Sequence, residues 1–266
     1  KNYVVTAIGD RAFSDCVSLE EINIPGNCQH IGVDAFKGCG NILRLVIEDG
    51  TTPLQFSYNY EIPYDYESQT VSQIDTLPHP RGQFEDSKIS YLYIGRDVLY
   101  PEPQYSEVET GYIRCFPFGR CRFVVGAYQG YSHEGPQLLS LEFGNYVTEI
   151  PEHLFSNGTI KNNVIFPENL KSIGESAFCA LPNTEIVFPE TLESIASNAF
   201  EDLSSMQKLY LPPSLKTIGS GAFGNCKSLK ELYIQGNIER YNKNSPYYNE
   251  ICYISDSENG VDLTLS

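Results

Sequence analysis

The chain has 266 residues, 41% of them hydrophobic, and a formal net charge of −16 that comes from 34 acidic and 18 basic side chains. This charge argues against nucleic-acid binding, because phosphate backbones are bound by clusters of Lys and Arg, and it argues against anionic membranes for the same reason. No apolar run reaches the about 20 residues needed to span a bilayer, so we expect no membrane insertion by this segment.

The first element in the chain is a repeating unit. In residues 8–25 it reads Ile-Gly-Asp-Arg-Ala-Phe-Ser-Asp-Cys-Val-Ser-Leu-Glu-Glu-Ile-Asn-Ile-Pro. The alternating large residues near its end predict a short strand, and the Pro that follows ends the strand because it has no N–H to donate. Within each block the unit recurs every 22 or 23 residues, and its leading residues are Ile8, Ile31, Ile150, Ile173, Ile195 and Ile218.

The unit cannot fold alone, because its few buried side chains do not offset the entropy lost in ordering ~23 residues. We therefore expect stacked copies that share one core. The core is predicted to be filled by Phe13, Phe36, Phe118, Phe155, Phe178, Phe200 and Phe223. Gly often follows the leading Ile, but Pro151 takes that position in one copy, and Pro requires a φ near −65°. The Gly is thus expected to allow close packing and not a left-handed turn.

These patterns predict an α/β repeat, namely a right-handed leucine-rich-repeat solenoid with parallel β-strands and a ~23-residue period, formed by residues 1–266 as a single unit. Residues 1–50 and 141–235 carry regular repeats. Residues 51–140 are a degenerate middle with two or three units and Tyr-rich insertions, which either cover the flank of the solenoid or face a ligand. Residues 236–266 lack the motif and are expected to cap the open end.

Cysteine and histidine offer the main candidates for chemistry. One position of the unit holds Cys16, Cys39, Cys121 and Cys226, but Leu in other copies, so these four are expected to be buried free thiols. Two pairs remain candidates for disulfides, Cys16 with Cys39 and Cys115 with Cys121. His153 is expected to be exposed on a repeat. No metal-ligand spacing or catalytic motif is present, so we predict no catalytic residue, no metal site and no cofactor.

A partner would sit on the outward side of the strands. If Ile22 and Ile24 point inward, the residue between them points out. In successive copies this outward position holds Asn23, Val46, Tyr93, Glu142, Ile165, Val187, Tyr210 and Tyr233. Such residues either simply favour strands or form an exposed apolar stripe beside a polar neighbouring row, as in protein interfaces. We predict that the partner is contacted by Tyr93, Ile165, Val187, Tyr210 and Tyr233.

The string Ile-Gly-x-x-Ala-Phe-x-x-Cys-x-x-Leu-x-x-Ile-x-Ile-Pro resembles the BspA-like (Treponema pallidum-type) leucine-rich repeat, well over residues 5–50 and 147–235 and weakly over 84–146. The resemblance implies a surface or secreted protein of bacteria or protists that binds a protein or glycoprotein, in adhesion or recognition. Any signal or anchor is expected outside this segment. Two alternatives stay open, a structural spacer within a larger surface protein and an enzyme with its site in residues 51–140.

Overall fold

The computed structural model describes residues 4–57, 83–84, 87–100, 112–114, 117–118, 122–125, 128–130, 137–156, 158–162, 164–179 and 186–235. Within these ranges all regular structure is strand. The strands in chain order are β1 (Ala7–Ile8), β2 (Glu21–Ile24), β3 (His30–Ile31), β4 (Gly40–Ile47), β5 (Leu54–Phe56), β6 (Ser87–Arg96), β7 (Val98–Leu99), β8 (Tyr112–Arg114), β9 (Arg122–Val125), β10 (Tyr128–Gly130), β11 (Gln137–Leu138), β12 (Ser140–Tyr146), β13 (Glu149–Ile150), β14 (Thr159–Ile160), β15 (Ser172–Ile173), β16 (Ser194–Ile195), β17 (Lys208–Leu211), β18 (Thr217–Ile218) and β19 (Glu231–Ile234).

The longer strands form the principal sheet. Strands β2, β4, β6 and β12 pair side by side and parallel, with Leu92 of β6 opposite Leu45 of β4 and Leu141 of β12. Isolated parallel bridges extend this row from Glu142 to Ile165 and on to Val187, and β17 pairs with β19 in the same sense. Burial alternates along the strands, so large aliphatic residues lie in the core and the residues between them face out.

Two further rows of short parallel strands carry the leading Ile residues. The row β1-β3-β5-β7 pairs Ile8 with Ile31, and the row β13-β15-β16-β18 pairs Ile173 with Ile150 and Ile195. Each pairing joins a residue to its equivalent in the next copy of the unit, called a coil from here on. Strand pairing therefore stacks coils in the order in which they occur in the chain, and the predicted parallel-stranded leucine-rich-repeat solenoid is confirmed.

The predicted α/β class needs one correction, because no helix is found among the described residues. The segment that contains the Ala-Phe pair consists of turns. Alternate amide groups of this segment donate to carbonyls of the following coil, as in Phe155 N to Ala177 O (2.9 Å) and Phe178 N to Ala199 O (2.8 Å). The amides between them donate three residues back within the segment, as in Ala177 N to Gly174 O (3.3 Å). This inter-coil bonding satisfies the backbone that a helix would otherwise satisfy internally.

The phenylalanines of these turns stack in one column through the core. Neighbouring ring centroids are 5.1–6.3 Å apart and the planes are within 25° of parallel. The column consists of Phe13, Phe36, Phe84, Phe118, Phe155, Phe178, Phe200 and Phe223. The prediction that Phe13 is a core residue is wrong: it is 43% exposed, since Phe36 is the only ring among the described residues on which its ring stacks. Phe223, near the other end, is half-buried.

The middle of the chain contributes two coils to this stack. Phe56 pairs with Ile31 and thus takes the position of a leading Ile, and the pairing of Gln55 with Leu99 brings Tyr100 to that position in the next coil. Within the Tyr-rich insertions, strands β8, β9 and β10 form a small antiparallel sheet of order β10-β9-β8. Most of the Tyr-rich insertions and the predicted cap over 236–266 lie outside the described residues.

Arg96 is the largest fully buried side chain among the described residues. Its Nη2 donates to the carbonyls of Pro25 (2.9 Å) and Cys28 (2.7 Å), and its Nη1 donates to the carbonyls of Gly26 (2.5 Å) and Thr52 (3.2 Å). Burial lowers the pKa of the guanidinium. Arg96 therefore ties together the loops of two preceding coils at the start of the degenerate middle.

Six of the coils turn through a left-handed residue three positions after the leading residue. In these six coils this position has a φ between 51° and 63°, and the residues are Arg11, Asp34, His153, Ser176, Asn198 and Gly221. His153 was predicted to be exposed, which is wrong: it is buried, with 5% of its surface accessible, on a turn whose backbone bonds to the following coil (His153 N to Glu175 O, 2.7 Å). The Gly after the leading Ile has no such backbone: a Cβ on Gly174 would lie 2.4 Å from the Glu152 amide nitrogen. Close packing, as predicted, accounts for that glycine.

The cysteines that the structure describes are free. Cys39 is buried, and its thiol donates to the carbonyl of Phe13 (3.1 Å), while burial raises its pKa. Cys226 is half-buried. Cys16 is exposed, which corrects the prediction for that residue, because none of the described residues covers it as the first coil covers Cys39. Cys115 and Cys121 lie outside the described residues.

Candidate functional site

The outward row of the principal sheet is the candidate site. Strand registers align Asn23 with Val46, Val46 with Tyr93 and Tyr93 with Glu142, and the isolated bridges continue the alignment through Ile165 to Val187. Tyr210 and Tyr233 pair in the last two coils. No strand pairing links Val187 to Tyr210 among the described residues. The row β13-β15-β16-β18, however, pairs Ile173 with Ile195 and Ile195 with Ile218, so Val187 and Tyr210 lie on adjacent coils.

The exposed residues of this row are apolar in the half nearer the C-terminus and polar in the other half. The half nearer the C-terminus holds Ile165, Val187, Tyr210 and Tyr233, which are 73%, 66%, 49% and 41% exposed, and these four residues are called the apolar stripe. Their neighbours toward the core, such as Leu209 and Leu232, are buried. The stripe thus consists of large apolar side chains on four successive coils that the described part of the fold leaves uncovered.

The two tyrosines of the stripe form an ordered pair. Their rings stack at 4.5 Å with planes 4° apart. Beside them Lys208 and Glu231 form an ion pair (2.9 Å), and the Tyr233 hydroxyl donates to Glu231 (2.6 Å). This hydrogen bond, followed by the Lys208 contact, lowers the pKa of Glu231, and the same bond raises the pKa of Tyr233. The pair is therefore held in one arrangement before any partner arrives, which reduces the entropy lost on binding.

Tyr93 lies apart from the stripe. Its hydroxyl donates to Asp49 (2.7 Å), and burial, with the Asp49 hydrogen bond second, raises the pKa of Tyr93 to about 12. On the same strand Tyr91 donates to Glu142 (2.9 Å), and the Arg44 guanidinium lies 5.3 Å from the centre of its ring. Tyr91 and Tyr93 are thus both hydrogen-bonded to carboxylates of neighbouring coils.

The sequence predicts that Tyr93 and the four stripe residues contact one partner, and this contact set stays a prediction. In the structure exposed Glu142 lies in the row between Tyr93 and Ile165, as the sequence placed it. The structure also adds residues that sequence reasoning did not single out, Asp49 and Tyr91. No local signal marks Asp49, since it reaches Tyr93 from the neighbouring coil. Among the described residues no group of His, Cys, Asp and Glu could hold a metal ion. The apolar stripe and the residues beside it therefore offer a partner apolar contact together with hydroxyl, carboxylate and ammonium groups.

Comparison with known families settles the repeat type. The family described as "BspA type leucine rich repeat region" matches residues 2–78 and 129–252 in six copies. These residues make up more than half of the chain. The chain belongs to the BspA-type leucine-rich-repeat family. The resemblance seen in the Ile-Gly-x-x-Ala-Phe motif is thereby confirmed. In this BspA-type chain the matched residues include all four members of the apolar stripe, and they leave out Tyr93.

Several solved structures are similar to this BspA-type chain. The pneumococcal vaccine antigen PcpA is 19% identical over 88% of this chain and 57% of its own, with a TM-score of 0.35. A leucine-rich repeat protein from Bacteroides ovatus is 18% identical over 88% and 60%, with a TM-score of 0.40. A leucine rich cell surface protein from Faecalibacterium prausnitzii is 16% identical over 88% and 64%, with a TM-score of 0.32.

The chain therefore spans less than two thirds of the length of each of these proteins. No curated protein sequence matches it. None of the described residues belongs to a helix that could cross a membrane.

Proposed function

We propose that the chain is a binding module of an extracellular or cell-surface protein, and that it binds a protein or glycoprotein through the apolar stripe. The observation that carries the proposal is the exposure of Ile165, Val187, Tyr210 and Tyr233 on four successive coils. Contiguous exposed apolar residues are uncommon on soluble proteins outside interaction sites. A structural spacer has no need of such a surface, so the stripe favours binding over the spacer alternative.

The dimensions of the stripe fit the centre of an interface. Adjacent strands in a sheet lie about 4.8 Å apart, so four coils give an apolar strip roughly 14 Å long. Polar residues flank it, with Glu142 at one end and the Lys208–Glu231 pair alongside. An apolar centre with a polar rim is the usual anatomy of protein interfaces, and tyrosines at such centres often dominate the binding energy.

The extracellular setting is part of the same proposal. It rests on the resemblance to surface and secreted repeat proteins. A net charge of −16 is compatible with it, because like charge keeps a surface soluble and free of non-specific contacts. The identity of the bound macromolecule is left to experiment.

The test begins with immobilised host-matrix proteins and mucins, on which binding of the chain is measured by biolayer interferometry. For any component that binds, the double variant Tyr210→Ser/Tyr233→Ser is compared with the parent chain. We expect affinity to fall by about tenfold or more, since truncating central interface tyrosines costs about 1.4 kcal/mol or more.

Leu99→Ser is the matched control, because Leu99 is 41% exposed, as Tyr233 is, but lies on β7 in the other row of strands. It should leave affinity unchanged. Circular dichroism and the urea midpoint show that each variant is folded. Equal affinity of the double variant and the parent would refute the binding role of the stripe, and failure of every component to bind would favour the spacer.

A further inference from the structure

In three coils a carboxylate stands three residues after the outward residue of the principal sheet, where the chain leaves the strand. The three are Asp49, Glu168 and Glu190, which follow Val46, Ile165 and Val187. Asp49 shows how far such a carboxylate reaches, because it accepts a hydrogen bond from the Tyr93 hydroxyl on the following coil (2.7 Å). A carboxylate at this position can therefore bind a donor that lies at the outward row of the next coil.

Glu168 and Glu190 have no such donor within the described part of the chain. Both residues are exposed, and neither side chain forms a hydrogen bond or an ion pair with another described residue. On the coil after Glu168 the outward residue is Val187, which has nothing to donate. The two turns are in contact, since the Thr191 hydroxyl donates to the Glu168 carbonyl (2.5 Å). Two neighbouring, unneutralised carboxylates thus lie beside the apolar stripe.

The described cations near the stripe are placed differently. Those on the side where the strands begin are Lys161, Lys208 and Lys230. On the other side, Lys171 lies three residues beyond Glu168 but is close to a different carboxylate. The pKa of Glu193 is lowered first by the hydrogen bond from Lys216 and, after it, by the charge of Lys171. The stripe is therefore bordered by basic residues where the strands begin and by acidic residues where they end.

The stripe itself favours a polypeptide over a sugar. Ile165 and Val187 offer no hydrogen-bonding side chain, and sugar hydroxyls buried against them without partners would cost free energy. The Tyr210 and Tyr233 rings cover one face of each other at 4.5 Å, which leaves fewer ring faces on which a sugar can stack. An extended polypeptide rises about 3.3 Å per residue, so roughly four or five residues match the length of the stripe.

We infer that the stripe receives a polypeptide segment whose apolar side chains lie on the stripe and whose Lys or Arg side chains meet Glu168 and Glu190. This inference rests on the proposed function and names the chemistry of the partner. A cation at Glu168 takes the place that the Tyr93 hydroxyl takes at Asp49. Because complementary charges at the rim of an interface determine orientation more than affinity, the two carboxylates fix the direction in which the segment lies.

The probe is a phage-displayed library of random peptides, each longer than the stripe, selected on the chain and counter-selected on Tyr210→Ser/Tyr233→Ser. We expect the enriched peptides to carry Lys or Arg beside aliphatic or aromatic residues. The most enriched sequence is then synthesised and measured by biolayer interferometry. Its affinity for Glu168→Lys/Glu190→Lys should be about tenfold lower, because two attractions become repulsions. Added salt should weaken its binding to the parent chain.

Glu149→Lys/Glu175→Lys is the matched control, because it changes the net charge equally and both residues are exposed outside the principal sheet. It should change the affinity little, and circular dichroism shows that each variant is folded. Equal losses in the two charge variants would indicate attraction to the overall charge and would overturn the inference.

Three other results would also overturn the inference: enriched peptides without Lys or Arg, no enriched peptide, or binding to a glycan array that depends on Tyr210 and Tyr233. The first and third would leave the stripe as a binding site. A synthetic peptide that binds Tyr210→Ser/Tyr233→Ser as tightly as the parent would instead refute the stripe itself, and with it both the proposed function and the inference. The two kinds of failure are thereby told apart.

Discussion

The phenylalanine column allows one residue type to be tested in two settings. Phe178 is fully buried and stacks between Phe155 at 5.4 Å and Phe200 at 5.3 Å, whereas Phe13 is 43% exposed and stacks on one ring only. For Phe178→Ala the lost transfer free energy of a buried Phe is about 1.5–3 kcal/mol. Two stacked contacts and the cavity bring the total to about 3–5 kcal/mol.

For Phe13→Ala the corresponding cost is roughly 1–2 kcal/mol, because about half of the transfer term and one ring contact are lost and an open site leaves no cavity. Urea unfolding followed by circular dichroism measures both variants against the parent chain. The midpoint should fall clearly further for Phe178→Ala than for Phe13→Ala. Equal losses would show that the rings do not form one column that ends at Phe13, and the core assignment would be refuted.

Three further predictions test other parts of the stack. Gly174→Ala should cost roughly 1–3 kcal/mol because its Cβ would meet the backbone of the preceding coil, whereas Gly9→Ala, with nothing within 4 Å, should change the urea midpoint little. Arg96→Ala leaves several loop carbonyls without their donor and should cost at least about 1–3 kcal/mol in the same assay; a neutral result would contradict the assigned hydrogen bonds. Because the pKa of Tyr93 is raised to about 12, its stabilising effect is complete below the ordinary tyrosine pKa of about 10 and is lost as pH rises through about 12. Tyr93→Phe should therefore weaken the pH dependence of the urea midpoint between those values, and an unchanged pH profile would count against the Asp49 contact.

The register of the principal sheet could be predicted from the sequence because two periods apply to it, one along each strand and one from coil to coil. Side chains alternate along a strand, and the unit recurs every 22 or 23 residues, so counting from the leading Ile assigns each outward residue to its coil. The pairs Asn23 with Val46 and Tyr210 with Tyr233 are found in the structure at that register. Direct counting fails in the middle, where Phe56 replaces the leading Ile and insertions change the spacing.

The left-handed position escaped prediction because it constrains the backbone and not one side chain. Arg, Asp, His, Ser, Asn and Gly all occupy it. Several of these residues tolerate a positive φ better than most amino acids do. Because no one residue type recurs at the position, it does not appear in the sequence motif. The recurring Gly, by contrast, is visible in the sequence. The position of His153 between Ile150 and Phe155 on a repeat predicts an exposed residue, whereas the structure buries it.

Outward direction and exposure are different properties, and this difference limits what the sequence says about the site. Tyr93 and Ile165 share one outward position of the unit, yet Asp49 bonds the hydroxyl of Tyr93, while Ile165 is 73% exposed. Phe13 shows the converse, since its inward position does not bury it where none of the described residues forms a coil beyond it. A repeat motif fixes the direction of a side chain from within one unit. Its burial depends on the neighbouring units, and a substitution there, such as Asp49→Ala, should change the exposure of Tyr93 without changing its register.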